Sequence, residues 1–294
     1  MRLTIGPHLF NWPVDRWTDF YARIADEAPV DKVVVGEVVC SKRAPFYEDR
    51  IASVVERLQR GGKDVVLASL GLLTTVRERK AAAEMFASGL PVEINDFTAL
   101  AWARSAFDVG PLVNVYNEGT LELLARKGAR SVCLPPELPM SAIETLAPAG
   151  KAFGVDVEVW SYGRTPLAMS GRCYHARAHG LTKDSCQFVC ANDYDGLQVD
   201  TLDGQPFLAV NGVQTMSFNL TNLAGDITAL GRAGVASLRL SPQSGDFVSV
   251  CRVFRDRVDG AIDAGEAMAR LAADNPAAPF SHGFLLGRSG AELM

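Results

Sequence analysis

The sequence lacks any long hydrophobic run. Of its 294 residues 48% are hydrophobic, yet they never form a stretch of about 18 or more, which a membrane-spanning helix needs. The first residues carry a single basic side chain and are interrupted by Pro7, His8 and Pro13, which is unlike a secretory signal. We therefore expect no membrane span and a cytoplasmic location.

A surplus of basic residues is also missing. The 29 Lys and Arg residues are outnumbered by 34 Asp and Glu residues, and the net charge is -5 at pH 7. Proteins that bind a phosphate backbone need a basic surface, so we expect no nucleic-acid partner. A chain of this length buries about 75% of its unfolded surface, and its core needs no disulfide bonds.

Hydrolase motifs are absent as well. The segment HARAH places His175 and His179 four residues apart, on one face if the segment is helical, but it lacks the glutamate of the HExxH zinc-protease motif. No Ser-His-Asp or paired-aspartate signature stands out either, although such groups need not be adjacent in sequence. Metal-assisted hydrolysis therefore has no motif to support it.

The chain does contain a repeated alternation of short β-branched runs with amphipathic stretches. This pattern is typical of successive strand-helix units and a parallel sheet, and eight such units in about 250 residues are typical of a (β/α) barrel. No linker or low-complexity segment divides the chain, so we predict an α/β fold: one TIM-like barrel domain over residues 1–294. The predicted strands are 3–11, 31–40, 63–70, 91–96, 111–117, 130–137, 156–163 and 236–242.

The regular alternation stops after residue 163. Residues 164–220 predict a cysteine-rich loop followed by a β-hairpin, which turns at Asp203–Gly204, a favoured two-residue turn pair. We expect this insertion to follow the seventh strand. A single long helix is predicted over roughly 246–273, and residues 274–294, rich in Pro and Gly, are predicted to form an irregular tail.

Cysteines are the most informative residues of the chain. Cys173, Cys186 and Cys190 lie in the loop with the spacing C-x12-C-x3-C, and Cys40 ends the second predicted strand. Because the carboxyl ends of all barrel strands open onto one face, we expect these four thiols to share one rim. In a reducing compartment they favour metal or redox chemistry over disulfide bonds.

The remaining cysteines, Cys133 in a predicted strand and Cys251 on an apolar helix face, are expected to pack as small hydrophobic residues. For the other four, several chemistries stay open. Zinc usually takes two short ligand pairs, of which this chain has one, although His175 and His179 keep zinc possible. A 4Fe-4S cluster accepts four widely spaced thiolates. A nucleophilic cysteine would leave its neighbours unexplained.

Polar side chains near the carboxyl ends of the strands predict a cavity beside the thiols. Barrel strands covered on both faces should be almost continuously apolar, and these are not. Such residues either line a functional pocket or pair among themselves inside the barrel. Arg239 could grip a carboxylate group in bidentate fashion, and His8 could shuttle protons. The candidate pocket residues are His8, Glu37, Asn95, Asn114, Tyr116, Glu158, Trp160 and Arg239, with Glu93 in the same pattern.

Four segments together resemble the iron-sulfur members of the collagenase-like peptidase family, over nearly the whole chain. They are SGRCYHARAHGLTKDSCQFVC at 170–190, GEVVCSKR around the strand-end cysteine, the opening IGPHLFNW, and SFNL downstream. The resemblance implies a TIM-type barrel. It also implies that Cys40, Cys173, Cys186 and Cys190 hold a 4Fe-4S cluster, with His175 and His179 in the shell around it as possible donors to cluster sulfur.

The resemblance further implies a function. Those family members act in the oxygen-independent hydroxylations of ubiquinone biosynthesis, with a homologous cluster-bearing partner subunit in a heterodimer and a lipid-binding helper protein. Prephenate is the expected oxygen donor. Two alternatives stay open: a non-catalytic electron-transfer or scaffold half of the heterodimer, and a peptidase, as the family label suggests.

Overall fold

Short runs of buried aliphatic residues form the strands of the structure, a computed structural model that describes residues 1–274 and 279–292. In the second strand, KVVV, every residue is buried, as expected where a strand is covered on both faces. The strands of the described residues are β1 (Arg2–Ile5), β2 (Lys32–Val35), β3 (Asp64–Ala68), β4 (Val92–Ile94), β5 (Phe107–Val109), β6 (Ala129–Cys133), β7 (Asp156–Met169), β8 (Leu197–Asp200), β9 (Pro206–Asn211), β10 (Gln214–Asn222), β11 (Ser237–Leu240) and β12 (Phe280–Ser281).

Eight parallel strands close into a barrel. Strands β1 to β7 pair in chain order, and β11 pairs with both β7 and β1. Helices lie on the outside and connect successive strands, which is the TIM-barrel arrangement. The predicted α/β TIM-like fold is therefore confirmed.

Amphipathic segments form the outer helices. In the first one, Trp17, Tyr21 and Ile24 recur at intervals of three to four residues and are buried against the barrel. The α-helices of the described chain are α1 (Val14–Glu27), α2 (Ala44–Arg60), α3 (Val76–Ala87), α4 (Glu118–Arg126), α5 (Met140–Ala152), α6 (Tyr174–Ala178), α7 (Ile227–Arg232), α8 (Phe247–Val258) and α9 (Ala264–Asp274).

The predicted fifth strand, 111–117, is wrong. The barrel strand is β5, which lies just before it, and Pro111–Val113 forms a 3₁₀ helix instead. Proline has no N–H for a neighbouring strand and suits the first position of a helix. Asn114 then adopts a left-handed conformation with a φ of 59°. Hydrophobic character alone did not distinguish this segment from a strand.

Two further predictions near the carboxyl end need correction. The single helix over 246–273 is in fact α8 and α9, which are separated at Gly260, whose φ of 75° suits a helix end. The tail is not wholly irregular, because β12 pairs in parallel with β10. Residues 275–278 and 293–294 of the predicted tail lie outside the described residues.

The insertion after the seventh strand is more ordered than a loop and a hairpin. Strand β7 continues past the barrel to Met169 and pairs there with the antiparallel β10. Strands β8 and β9 form the hairpin expected around Asp203–Gly204, and β9 pairs onward with β10. This sheet, formed by the extension of β7 with β10, β9 and β8, stands on the barrel rim, and the cysteine-rich segment between β7 and β8 lies at the barrel mouth.

Charged side chains fill part of the barrel interior. Arg239 donates hydrogen bonds to both Glu93 and Glu158, and the Lys32 Nζ atom lies 3.2 Å from Asp108 and 3.4 Å from Glu158. None of these side chains is more than 3% exposed. The neighbouring Arg239 and Lys32 hold the pKa of the Glu158 carboxyl well below its usual range, against the effect of burial. The barrel therefore contains a paired ionic layer.

Removing the central cation of this layer should destabilise the protein strongly. Arg239→Met leaves Glu93 buried without its cation and Glu158 with Lys32 alone, which costs about 3–5 kcal/mol, and urea denaturation measures the loss. The control is Arg252→Met, whose side chain is 56% exposed and 3.9 Å from Glu27; its effect should stay within about 0.5 kcal/mol. Equal effects of the two substitutions would contradict a stabilising role for the layer.

Candidate metal centre

Four cysteines from distant parts of the chain line one small cavity at the barrel mouth. Cys40 lies on the turn between β2 and α2, Cys173 caps the N-terminus of α6, Cys186 lies in the following loop, and Cys190 is in a 3₁₀ helix. Cys40 is half-buried and the other three are buried. The expected convergence of these thiols on one rim is what the structure shows.

Nitrogen-hydrogen groups surround the sulfur atoms. Burial raises the pKa of the Cys40 thiol, while Arg43 and the backbone N–H of Lys42 oppose this shift. Such donors stabilise the thiolate, which is the form that binds metal ions and clusters. The other N–H···S contacts run from Asn11 Nδ2 to Cys190 at 3.5 Å, from Lys42 Nζ to Cys186 at 3.5 Å and from the Ala176 backbone N–H to Cys173 at 3.4 Å.

Arg43 is the residue of this centre that sequence reasoning missed. Its side chain is 1% exposed and lines the thiol cavity. It donates to the Leu9 carbonyl at 2.9 Å and to Asn211 Oδ1 at 2.8 Å, and thereby ties the turn after β2 to the inserted sheet. A buried cation also offsets the negative charge of several thiolates. In the sequence, only its position three residues after Cys40 connects Arg43 with the thiols. That position alone does not distinguish a buried arginine from one at the surface.

A single metal ion and a cluster require different spacings of the sulfur atoms. No group of three His, Cys, Asp or Glu side chains within 1–274 and 279–292 is arranged to hold one metal ion. Zinc-bound thiolates lie about 2.3 Å from the metal, which brings the sulfur atoms close together. In a 4Fe-4S cluster each thiolate binds a different iron atom, so the sulfur atoms lie farther apart. A set of four thiols is chemically compatible with a 4Fe-4S cluster and with zinc.

The two histidines of the segment hydrogen-bond to groups other than the cysteine thiols, and their role as donors to cluster sulfur stays a prediction. His175 lines the thiol cavity and is fully buried, but its Nδ1 atom is 3.1 Å from the Val210 carbonyl and its Nε2 atom is 2.9 Å from Asp193. His179 is exposed and its Nδ1 atom lies 3.0 Å from the His175 carbonyl. His175 therefore joins α6 to β9 and to the loop after Cys190.

The predicted pocket is also divided rather than continuous. Arg239 and Glu158 belong to the ionic layer, so Arg239 is not free to grip a substrate carboxylate. Asn95 extends that layer, since its Nδ2 atom donates to Glu93 at 3.2 Å and to the Ser69 carbonyl. Of the two possibilities raised by the sequence, a functional pocket or pairing inside the barrel, these residues show pairing.

Three other members of the predicted pocket lie elsewhere. Trp160 is buried, and its indole N–H points to the Gly163 carbonyl at 3.5 Å. Tyr116 is 47% exposed and hydrogen-bonds to Glu137. Asn114 follows the 3₁₀ helix, as described above. Since the fifth strand ends at Val109, Asn114 and Tyr116 are not strand-end residues and do not belong to a barrel pocket.

His8 and Glu37, in contrast, line a large cavity of about 520 Å³. It lies at the carboxyl ends of β2 and β3 and between α2 and α3. Glu37 Oε1 accepts hydrogen bonds from the backbone N–H groups of Val39 at 2.7 Å and Cys40 at 2.9 Å. The same carboxyl group thus lines the large cavity and shapes the turn that presents Cys40 to the thiol cavity.

A closed parallel barrel with a thiol-lined cavity at the carboxyl ends of its strands defines this chain as an α/β-barrel protein with a candidate metal centre. Residues 17–294 match the model of peptidase family U32, and the chain belongs to that family. No helix within the described ranges is long and apolar enough to cross a membrane.

A collagenase from Porphyromonas gingivalis is 24% identical over 237 residues, which cover 73% of this chain and 49% of the collagenase. The chain thus spans about half the length of that relative. Similar solved structures include the N-terminal domain of a putative aldolase from Bacteroides vulgatus, 12% identical with a TM-score of 0.47, covering 98% of this chain and 92% of that one. Tryptophan synthase subunit alpha from Campylobacter jejuni is 10% identical with a TM-score of 0.41, covering 87% and 92%.

Loss of Arg43 should destabilise the mouth of the barrel. Arg43→Met leaves Asn211 Oδ1 without its buried donor, whereas the Leu9 carbonyl still accepts a hydrogen bond from Asn211 Nδ2 at 2.7 Å. One unpaired buried group costs about 1–3 kcal/mol, and we expect the free energy of unfolding in urea to fall by that amount. Arg50→Met, at an exposed position of the helix that follows Arg43, should change it by less than about 0.5 kcal/mol. A similar value for both variants would show that the Arg43 contacts are energetically neutral.

Proposed function

We propose that this chain is the iron-sulfur subunit, of the UbiV type, in an oxygen-independent hydroxylase of ubiquinone biosynthesis. Cys40, Cys173, Cys186 and Cys190 would hold its 4Fe-4S cluster. The observation that carries the proposal is the convergence of these four thiols, each beside an N–H donor, on one cavity. The resemblance of residues 170–190 to iron-sulfur members of the family supports it.

The proposed chemistry balances without molecular oxygen. Transfer of a hydroxyl oxygen from an organic donor, for which we propose prephenate, oxidises the acceptor ring by two electrons and reduces the donor by two. A bound 4Fe-4S cluster supplies one-electron transfer. The chain's own contribution is to hold the thiolates, through Asn11, Lys42 and the Ala176 backbone, and to offset their charge with Arg43.

The proposal includes partners and a compartment. We propose a heterodimer with a UbiU-like homologous subunit that has its own cluster, a lipid-binding helper protein, and a cytoplasmic location. Within this heterodimer the chain either contributes to the catalytic site or serves as a non-catalytic electron-transfer or scaffold half. Hydroxylation assays that combine Cys186→Ala with an intact partner separate a scaffold half, which needs no cluster in this chain, from a half whose cluster takes part in the reaction. Undiminished product formation would identify a scaffold.

A peptidase is the second candidate, and the family and the collagenase relative favour it. The His175–Asp193 pair resembles part of a catalytic triad, but the second ring nitrogen of His175 is already bonded to the Val210 carbonyl. It therefore has no free position from which to activate a nucleophile. Anaerobic hydrolysis of a collagen-like peptide by both the parent protein and Cys186→Ala would support the peptidase.

Anaerobically purified protein should contain about four iron and about four labile sulfide atoms per chain. Cys186→Ala removes one ligand, so we expect loss of most iron and sulfide and of the reduced-state electron paramagnetic resonance signal. Cys251→Ala is the matched control because that thiol is fully buried in the apolar core, and it should keep both. Stoichiometric zinc without sulfide, or equal iron content in the two variants, would falsify the cluster assignment.

A further inference from the structure

The cavity of about 520 Å³ between α2 and α3 has the size of a small-molecule site. Its walls are mainly apolar. Val35, Leu67 and Leu70 line it from the barrel, and Ile51, Ala82 and Met85 line it from the helices. The cavity opens at the carboxyl ends of the strands, where barrel proteins bind their ligands. Shape and lining therefore favour an apolar ligand body.

The polar groups that line the cavity near the strand ends include two without complete partners. His8 is 2% exposed, and neither of its ring nitrogens makes a hydrogen bond of normal geometry with the described residues. Glu37 remains partly accessible although one of its oxygens accepts two backbone N–H groups. Buried polar groups are nearly always hydrogen-bonded, so the unpaired imidazole indicates a partner that comes from outside the chain.

The ligand's polar group should be neutral. Burial, together with Arg43 and Arg16, lowers the pKa of His8 to about 3, and the Phe10 backbone opposes this only in part. A neutral imidazole has one donor and one acceptor nitrogen, and a hydroxyl group can pair with either. The charged side chains of the lining are Arg77 and Lys80 against Glu37, Glu48, Glu78 and Glu84, and this acidic surplus disfavours an anionic ligand.

We propose that this cavity binds an uncharged, largely apolar small molecule whose hydroxyl group hydrogen-bonds at the end where His8 and Glu37 lie. The assignment does not depend on the proposed cluster, because none of the four cysteines lines this cavity. The two sites nevertheless share one turn. Glu37 and Ser41 line the ligand cavity, and Cys40 between them lines the thiol cavity.

Calorimetric titration with four probes that carry the same pentyl chain tests the assignment. We expect 4-pentylphenol to bind at least tenfold more tightly than pentylbenzene, which lacks the hydroxyl group, and than 4-pentylbenzoate, which is charged. 4-Pentylcyclohexanol distinguishes a phenol site from a general alcohol site, since only a site for aromatic rings should discriminate against it. Equal affinity for the phenol and pentylbenzene, or no detectable binding of the phenol, would overturn the proposal.

Variants locate the site. Ala81→Trp narrows the cavity from an exposed position on α3 and should weaken phenol binding at least tenfold, whereas Ala272→Trp, at an exposed position on α9, should leave it unchanged. His8→Phe should abolish the preference for the phenol over pentylbenzene while it keeps apolar binding. Circular dichroism verifies folding, and iron is assayed in every sample, so that a failed cavity assignment is separated from a failed cluster assignment. Equal loss in Ala81→Trp and Ala272→Trp would place the ligand elsewhere.

Discussion

The bridge from Arg239 to Glu93 and Glu158 is the interaction on which the barrel depends. These residues come from β11, β4 and β7, so one guanidinium group connects strands on opposite sides of the barrel. Because an unpaired charge in this position is costly, the layer selects one arrangement of the closed barrel. The strand ends above it, which carry both candidate sites, are positioned by that arrangement.

Above the ionic layer, a second set of buried polar contacts joins the barrel to the inserted sheet. Arg43 reaches the Leu9 carbonyl after β1 and Asn211 at the end of β9, and His175 connects α6 with β9 and Asp193. The same parts also pack in one apolar cluster that includes Phe10, Val39, Cys173 and Ala209, so polar and apolar contacts together assemble the thiol cavity. Buried hydrogen-bonded charges specify geometry more sharply than apolar contacts do, which suits a site with four separate ligands.

The sequence was sufficient for the barrel because its evidence is local and repeated. Each β-branched run and each amphipathic helix signals its own element, and the number of units indicates the architecture. The sequence was insufficient where the same kind of segment occurs in two different structures. The 111–117 run is apolar like a strand, yet Pro111 starts a 3₁₀ helix, and β5 is only three residues long.

The candidate site was predictable to a similar degree. Position relative to strand ends was enough to bring Cys40 onto the same rim as Cys173, Cys186 and Cys190, since that depends on chain direction alone. Which polar side chains pair inside the barrel was not predictable. A glutamate near a strand end either forms an ion pair, as Glu158 does, or lines a cavity, as Glu37 does. Long-range contacts decide between these outcomes, and no local pattern records them.

The turn after β2 is where the two candidate sites constrain each other. Gly36 has a φ of 145°, and a Cβ atom there would lie 2.8 Å from the Ala68 carbonyl oxygen, so the turn requires glycine. From this point Glu37 holds the amides of Val39 and Cys40. A ligand that hydrogen-bonds to Glu37 therefore contacts the group that orients Cys40. Under the proposed assignment, a ligand in the apolar cavity would act on the position of one thiol through these two hydrogen bonds.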